Sequence, residues 1–338
     1  MAEAVPYRSS VRPVPRRRLG RDLSCSAVGL GCMGMSDFYG VADRAESIRT
    51  IRAAVDAGIT LLDTADVYGP FSNERLLGEA LRGRRDRVLV STKAGQLRRA
   101  DDPAYRGLDG SPEHIHRACD ASLERLGVET IDLYLLHRVD RRVPVEDSIG
   151  AMAELVTAGK VRSIGLSEVR AATLRRAAAV HPVSVVQTEY SLWSREVEDE
   201  VLPALRELGG SLIAYAPLGR GFLTGRLDIA KLSNDDYRRG LPRLLPENLG
   251  RNEVLVRRLA RLAEAWGLTP AQLALSWVLD RGDDVVALMG TTRRSHLAEN
   301  LAAAAVTLTA AQAAELEAAF PADAAAGDRY ASRATIDG

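Results

Sequence analysis

A (β/α)8 TIM barrel is the fold class that this 338-residue sequence predicts, on three observations. The first is a recurring phrase in which a helical stretch closes near a glycine and an apolar run follows within a few residues. "IRTIRAAVDAG" leads to "ITLLD", "SIGAMAELVTAGK" to "VRSIGLS", "VEDEVLPALRELGG" to "SLIAYAP", and "AQLALSWVLDRGDD" to "VVALMG". A helix-terminating glycine ahead of a continuous apolar strand is what parallel β/α units look like. The second is that eight such units fit along the chain without a break in composition. The third is length, which suits one large barrel. A doubly wound sheet of two halves is the alternative arrangement of the same units.

The elements follow in order. Residues 1–15 mix prolines with arginines and read as a flexible tail leading into a small N-terminal hairpin. Apolar runs place strands at about 26–31, 59–63, 88–92, 131–136, 161–166, 183–187, 211–215 and 285–289. Helical patterns fill the intervals near 43–57, 73–82, 112–126, 146–158, 170–179, 197–208, 253–280 (read as two helices) and 294–302. A single barrel domain therefore spans 16–320, and 321–338 reads as a C-terminal tail that either closes over one face or frays. Two long loops, 94–111 and 216–250, leave the C-terminal ends of the third and seventh strands. That is the face where barrels of this kind carry their sites, and loops of such length are usually functional.

Composition narrows the partners. Forty-five Lys and Arg balance forty-five Asp and Glu, so no net field favours nucleic acid or an anionic membrane. No apolar run reaches the roughly 20 residues of a membrane-spanning helix, and the N-terminus lacks the apolar core of a signal peptide. Cys25, Cys32 and Cys119 have no metal-ligand spacing, which fits a reduced, cytoplasmic chain. "SPEHIHRACD" gathers His114, His116, Cys119 and Asp120, but helical spacing puts the two histidines on different faces, so no metal is expected. An oligomer is possible and not implied.

"GLGCMG", Gly29 to Gly34, fits G-x-G-x-x-G by letter. A dinucleotide fingerprint needs its third glycine to open a helix, and here "MSDFYG" intervenes before any helical pattern. The end of this strand, Gly31, Cys32 and Met33, is instead expected to approach a flat ligand closely.

Polar groups collect where the next strands stop. The second strand ends in Asp63, with Tyr68 in the loop after it; the third ends in Lys93 and the fourth in His137. Each alone is an ordinary loop or structural residue, but three adjacent strands deliver chemically matched groups to one rim. The chemistry they suit is proton donation to a carbonyl oxygen. Lys93 beside Tyr68 is expected to lower the phenol's pKa, Asp63 to compensate the ammonium, and His137 to orient the carbonyl. Tyr68 is then the general acid in reduction, and since no side chain supplies a hydride, a nicotinamide must. A lyase using Lys93 as a Schiff-base nucleophile is the reading from another reaction class.

"LLDTADVYGPFSNERLLGEAL", "VLVSTKAG", "IDLYLLHRVD", "VRSIGLSE", "VVQTEYSLWSR", "IAYAPLGRGFLTG" and "MGTTRRSHLAEN" together resemble the aldo-keto reductase family, in its bacterial and plant branch. The resemblance runs from about residue 17 to residue 305, and Asp63, Tyr68, Lys93 and His137 fall at the family's tetrad. It implies NADPH (NADP) laid across the C-terminal face and reversible reduction of aldehydes or ketones, the small-molecule carbonyl partners. It also implies that Ser167 and Gln187 hold the carboxamide and that Tyr215 stacks on the nicotinamide. The loop Pro217, Leu218, Gly219, Arg220, Gly221 would then cross the pyrophosphate. Gly290, Thr291, Thr292, Arg293 and Arg294 would meet the adenosine phosphate, with Glu299 and Asn300 at the adenine.

Two positions depart from the family pattern. Glu168 stands where many members have Asn, and His296 where many have Arg. His296 is still counted on the cofactor's path. Met33, Phe38, Tyr39, Tyr68, Arg138 and Trp193 are the expected substrate walls, while Gln96, Arg98 and Arg99 in the first long loop read as solvated. A non-catalytic relative that senses nicotinamide is the remaining reading; the intact tetrad argues against it.

Overall fold

A computed structural model describes residues 14–99, 101–102 and 105–331. The flexible tail expected at 1–15 falls almost wholly outside the described residues, as does the end of the C-terminal tail. β1 (Arg16–Leu19) and β2 (Leu23–Ser26) form the expected antiparallel hairpin. The chain then alternates: β3 (Val28–Gly31), α1 (Arg44–Asp56), β4 (Leu61–Asp63), α2 (Ser72–Ala80), β5 (Leu89–Ala94). A two-strand ribbon, β6 (Gln96–Leu97) and β7 (Gly107–Leu108), folds the first long loop onto itself. There follow α3 (Pro112–Leu126), β8 (Ile131–Leu136), α4 (Val145–Thr157), β9 (Val161–Ser167), α5 (Ala171–Val180) and β10 (Val185–Glu189). The chain continues through α6 (Val201–Glu207), β11 (Ser211–Tyr215), α7 (Pro246–Ala265), α8 (Pro270–Leu279), β12 (Val285–Gly290), α9 (Arg294–Ala302) and α10 (Ala310–Ala319). β3, β4, β5, β8, β9, β10, β11 and β12 close into one parallel barrel, which excludes the doubly wound sheet.

Two cores divide the apolar residues by the period of the strands. Leu61, Leu133, Leu135, Val185, Ile213, Val286 and Leu288 fill the barrel interior, and Leu19, Leu23 and Cys25 of the hairpin join them from below. The alternate residues Val28, Leu62, Val90, Tyr134, Leu136, Ile164, Val186 and Leu212 face the helices in the second core. Sequence-level helix signals are realised in detail. Asp43 caps α1 by accepting from Ala45 N and Glu46 N, and Ser111 with Pro112 opens α3, which Gly127 closes in the left-handed region.

Three elements differ from expectation. α6 begins at Val201 rather than 197, because Pro203 lacks an N–H and fits only the first turn of a helix. α7 starts earlier than expected, on Pro246. α10 was not anticipated: "AAQAAELEAA" is alanine-rich with little apolar period, and its signal is the capping box of Thr309 with Gln312.

Candidate active site

Strand period decides which residues reach the mouth. Leu61 faces inward and Leu62 outward, so Asp63 faces inward at the top of β4, and the same alternation carries Lys93 on β5 inward above Ser91. Lys93 is fully buried and its Nζ donates to Asp63 Oδ1 at 2.5 Å, Thr64 O at 2.7 Å and the Tyr68 hydroxyl at 3.4 Å. Asp63 Oδ2 accepts from Ser91 Oγ at 2.8 Å and, across the barrel, from Gln187 Nε2 at 2.9 Å. The carboxylate at the strand end is thereby compensated on both oxygens.

Tyr68 stands in a turn that other elements hold. Thr64 Oγ1 donates to Asn73 Oδ1 at 2.6 Å, and Asn73 Nδ2 donates to Cys32 O at 2.9 Å and Ser36 Oγ at 2.6 Å. The His137 ring meets Tyr68 edge-on, with centroids 5.8 Å apart, and its Nδ1 is buried with no partner among the described residues. All four tetrad positions therefore converge.

The electrostatics correct one expectation. Burial raises the Tyr68 pKa by more than the adjacent Lys93 lowers it, so the phenol is held protonated rather than acidified. Burial also opposes the Lys93 ammonium, but Asp63 and Tyr68 outweigh it and the net shift is upward. Burial, with Arg138 and Lys93 nearby, pushes His137 well below the usual imidazole value, leaving it neutral. Behind Lys93, Asp66 has a buried Oδ1 with no partner among the described residues, and burial together with Glu74 raises its pKa well above the usual range.

The remaining candidates line the rim beyond the tetrad. Ser167 ends β9 and its Oγ accepts from Arg138 at 3.0 Å. Tyr215 ends β11 and its hydroxyl donates to Glu168 Oε1 at 2.9 Å. Pro217 to Gly221 follow in a turn with positive φ at Gly219, Arg220 and Gly221. A Cβ on Gly219 would lie 2.8 Å from the Trp193 ring. At the top of β12, Gly290 is the register partner of Gly31, and a Cβ on Gly290 would meet only the Gly31 carbonyl, at 3.8 Å. Past Thr291 and Thr292, Arg293 is exposed; Arg294 opens α9 and pairs with Glu46 at 3.0 Å. Glu299 pairs with Arg226 at 2.9 Å, Asn300 is buried and His296 is exposed.

Several side chains sit elsewhere than expected. Trp193 is buried, stacked on Phe222 beneath the 217–221 turn, so it supports that turn rather than walling an open pocket. The Cys32 thiol is buried in the outer core with its pKa pushed up to about 12 by burial, so only its backbone faces the site. Arg98 is not solvated: it pairs with Asp37 and donates to Val67 O at 3.3 Å. Met33 and Phe38 pack beside Tyr68, and Phe38 meets Tyr237 edge-on at 5.7 Å. Tyr39 lies under the Arg238 guanidinium at 5.0 Å. Arg329 and Tyr330 were not singled out in the sequence; they lie in the tail for which closing over this face was one alternative, and they contact Glu168, Tyr215 and Arg220.

The aldo/keto reductase family model matches residues 27–320, which takes in every barrel strand and the tetrad. The chain belongs to the aldo/keto reductase family. Solved structures of bacterial aldo/keto reductases resemble it over almost their whole length. A glycerol dehydrogenase from Gluconobacter oxydans is 29% identical with a TM-score of 0.83, covering 90% of this chain and 94% of its own. An aldo-keto reductase from Bacillus halodurans in its holo form is 27% identical with a TM-score of 0.76, covering 91% and 97%. An aldo/keto reductase from Klebsiella pneumoniae, in complex with NADP and acetate, is 29% identical with a TM-score of 0.71, covering 93% and 98%. Among the described residues of this reductase, no helix is long and apolar enough to cross a membrane.

Proposed function

We propose that this reductase reduces aldehyde or ketone carbonyls with NADPH, using Tyr68 as the proton donor. The observation that carries the reading is the buried chain Asp63–Lys93–Tyr68 with the His137 ring packed edge-on against Tyr68. The residues fit the cofactor. The glycine pair Gly31 and Gly290 leaves a cradle that side chains would fill. Arg293 and Arg294 at the start of α9 suit a 2′-phosphate, where backbone N–H groups and guanidinium forks act together. Aldo-keto reductase structures from Klebsiella pneumoniae are complexes with NADP and with NADPH, which supports the same choice here. A bound nicotinamide supplies the hydride.

The chain's own residues do the rest. His137 is neutral and its ring lies edge-on to Tyr68, so a ring N–H offers a hydrogen bond to a carbonyl oxygen placed against Tyr68. Tyr68, protonated by virtue of its burial, gives up its proton as charge grows on that oxygen. Lys93 stabilises the tyrosinate left behind, and Asp63 keeps Lys93 charged for that purpose. The Schiff-base reading is disfavoured, because an ammonium held by Asp63 and a backbone carbonyl has no lone pair to attack with.

Tyr68→Phe should lower kcat about 10²- to 10⁴-fold, the usual worth of a general acid. NADPH affinity, read by fluorescence quenching, should stay near the wild-type value. A variant that loses NADPH binding along with turnover would make Tyr68 a structural residue instead.

A further inference from the structure

Glu168 cannot serve the carboxamide as an amide would, and its surroundings give it other work. Its Oε1 accepts from Thr188 Oγ1, Glu189 N and the Tyr215 hydroxyl, each at 2.9 Å, and from Arg329 at 3.2 Å; Oε2 accepts from Arg329 at 3.1 Å. The side chain is almost wholly buried, and its backbone sits at φ +53°, a conformation a non-glycine residue keeps only when neighbours enforce it. A two-point guanidinium–carboxylate pair in this setting is strong and directional.

The segment carrying Arg329 is seated residue by residue. Ala326 exchanges two hydrogen bonds with Asn252, at 2.8 and 2.9 Å, and Gly327 O accepts from Arg243 Nε at 3.2 Å. Gly327 has φ +87°, and a Cβ there would lie 2.6 Å from Asn248 Nδ2 and 3.0 Å from Pro242 C. Next along the chain, the Tyr330 hydroxyl hydrogen-bonds the Tyr215 hydroxyl and accepts from Arg220 at 3.0 Å. The two residues it grips are those expected at the nicotinamide ring and the pyrophosphate.

We propose that Arg329 and Glu168 form a latch that seats Tyr330 on Tyr215 and Arg220 and thereby retains the bound nucleotide. Both are positioning residues; neither touches a reacting atom. The inference rests on the cofactor site proposed above. Opening the latch frees the ring platform and the phosphate loop together, so it sets how fast the nucleotide leaves.

The test is NADPH dissociation, followed by stopped-flow fluorescence with Arg329→Ala, Glu168→Gln and the double variant. Each single variant should release NADPH about tenfold faster or more, and the double variant no faster than the quicker single, because members of one pair are not additive. Arg329→Lys should recover part of the loss. Tyr330→Phe, which keeps the ion pair and removes only the hydroxyl, should accelerate release by a smaller factor and covers the case in which a charge variant does not fold. Folded variants that release NADPH within about twofold of wild type would make the pair structural and overturn the latch alone. A wild-type protein that binds no NADPH would overturn the site and the latch together.

Discussion

Asp66 is buried with an orphan oxygen three residues beyond the tetrad's carboxylate, and its charge state is set by what surrounds it. Burial first, then Glu74, raises its folded pKa well above the usual value. The stability this group contributes is therefore complete below the unfolded pKa of about 3.9 and is lost as pH climbs toward the folded value. Asn cannot ionise, so Asp66→Asn should raise the melting temperature by more at about pH 8 than at about pH 5. A gain that is equal at both pH values, or a loss at the higher one, would contradict a neutral Asp66. Single residues also mark what the sequence made legible. Asp63, Lys93 and His137 could be placed because period two fixes which side of a strand faces in. The balance on Tyr68 could not, because it depends on how completely the phenol is enclosed, and no local pattern reports that. Glu168 was legible only as a departure, since its partner lies 161 residues further along.

Elements show a similar division. Apolar runs located every barrel strand to within a few residues, and the helix-ending glycines located most of the helices. Errors fell where one residue vetoes a pattern, as Pro203 does in α6, or where a helix carries no apolar stripe, as in α10. Beyond Pro217–Gly221, the second long loop was visible in the sequence as length and composition; in the structure it is a chain of short 3-10 turns laid against Trp193 and Phe38. Gly219 in this segment combines φ +55° with contact against Trp193 that leaves a Cβ no room. Gly219→Ala should displace the turn and raise the Kd for NADPH by about tenfold, in line with roughly 1–3 kcal/mol for a strained backbone position. Isothermal titration checks this, and unchanged affinity would separate the turn from the nucleotide.

Across the whole molecule, the hairpin β1–β2 acts as a plug at the end opposite the site. Leu19 is fully buried in the barrel-interior core, and Arg17 donates to Leu279 O at 2.6 Å and Val285 O at 2.7 Å, tying the hairpin to the last β/α unit. Leu19→Ala should cost about 2–5 kcal/mol in urea unfolding. Its kcat at temperatures where it remains folded should match the wild type, since the tetrad lies at the other end. A large fall in kcat without a fall in stability would mean that the two ends are coupled.

That stopper has a consequence for traffic. With leucine, valine and isoleucine side chains packed from the hairpin up toward the layer beneath Lys93, the barrel's axis is a poor path for water from below. A hydrogen ion surrendered by residue 68 must be made good through the rim, the same doorway by which reactants arrive and depart.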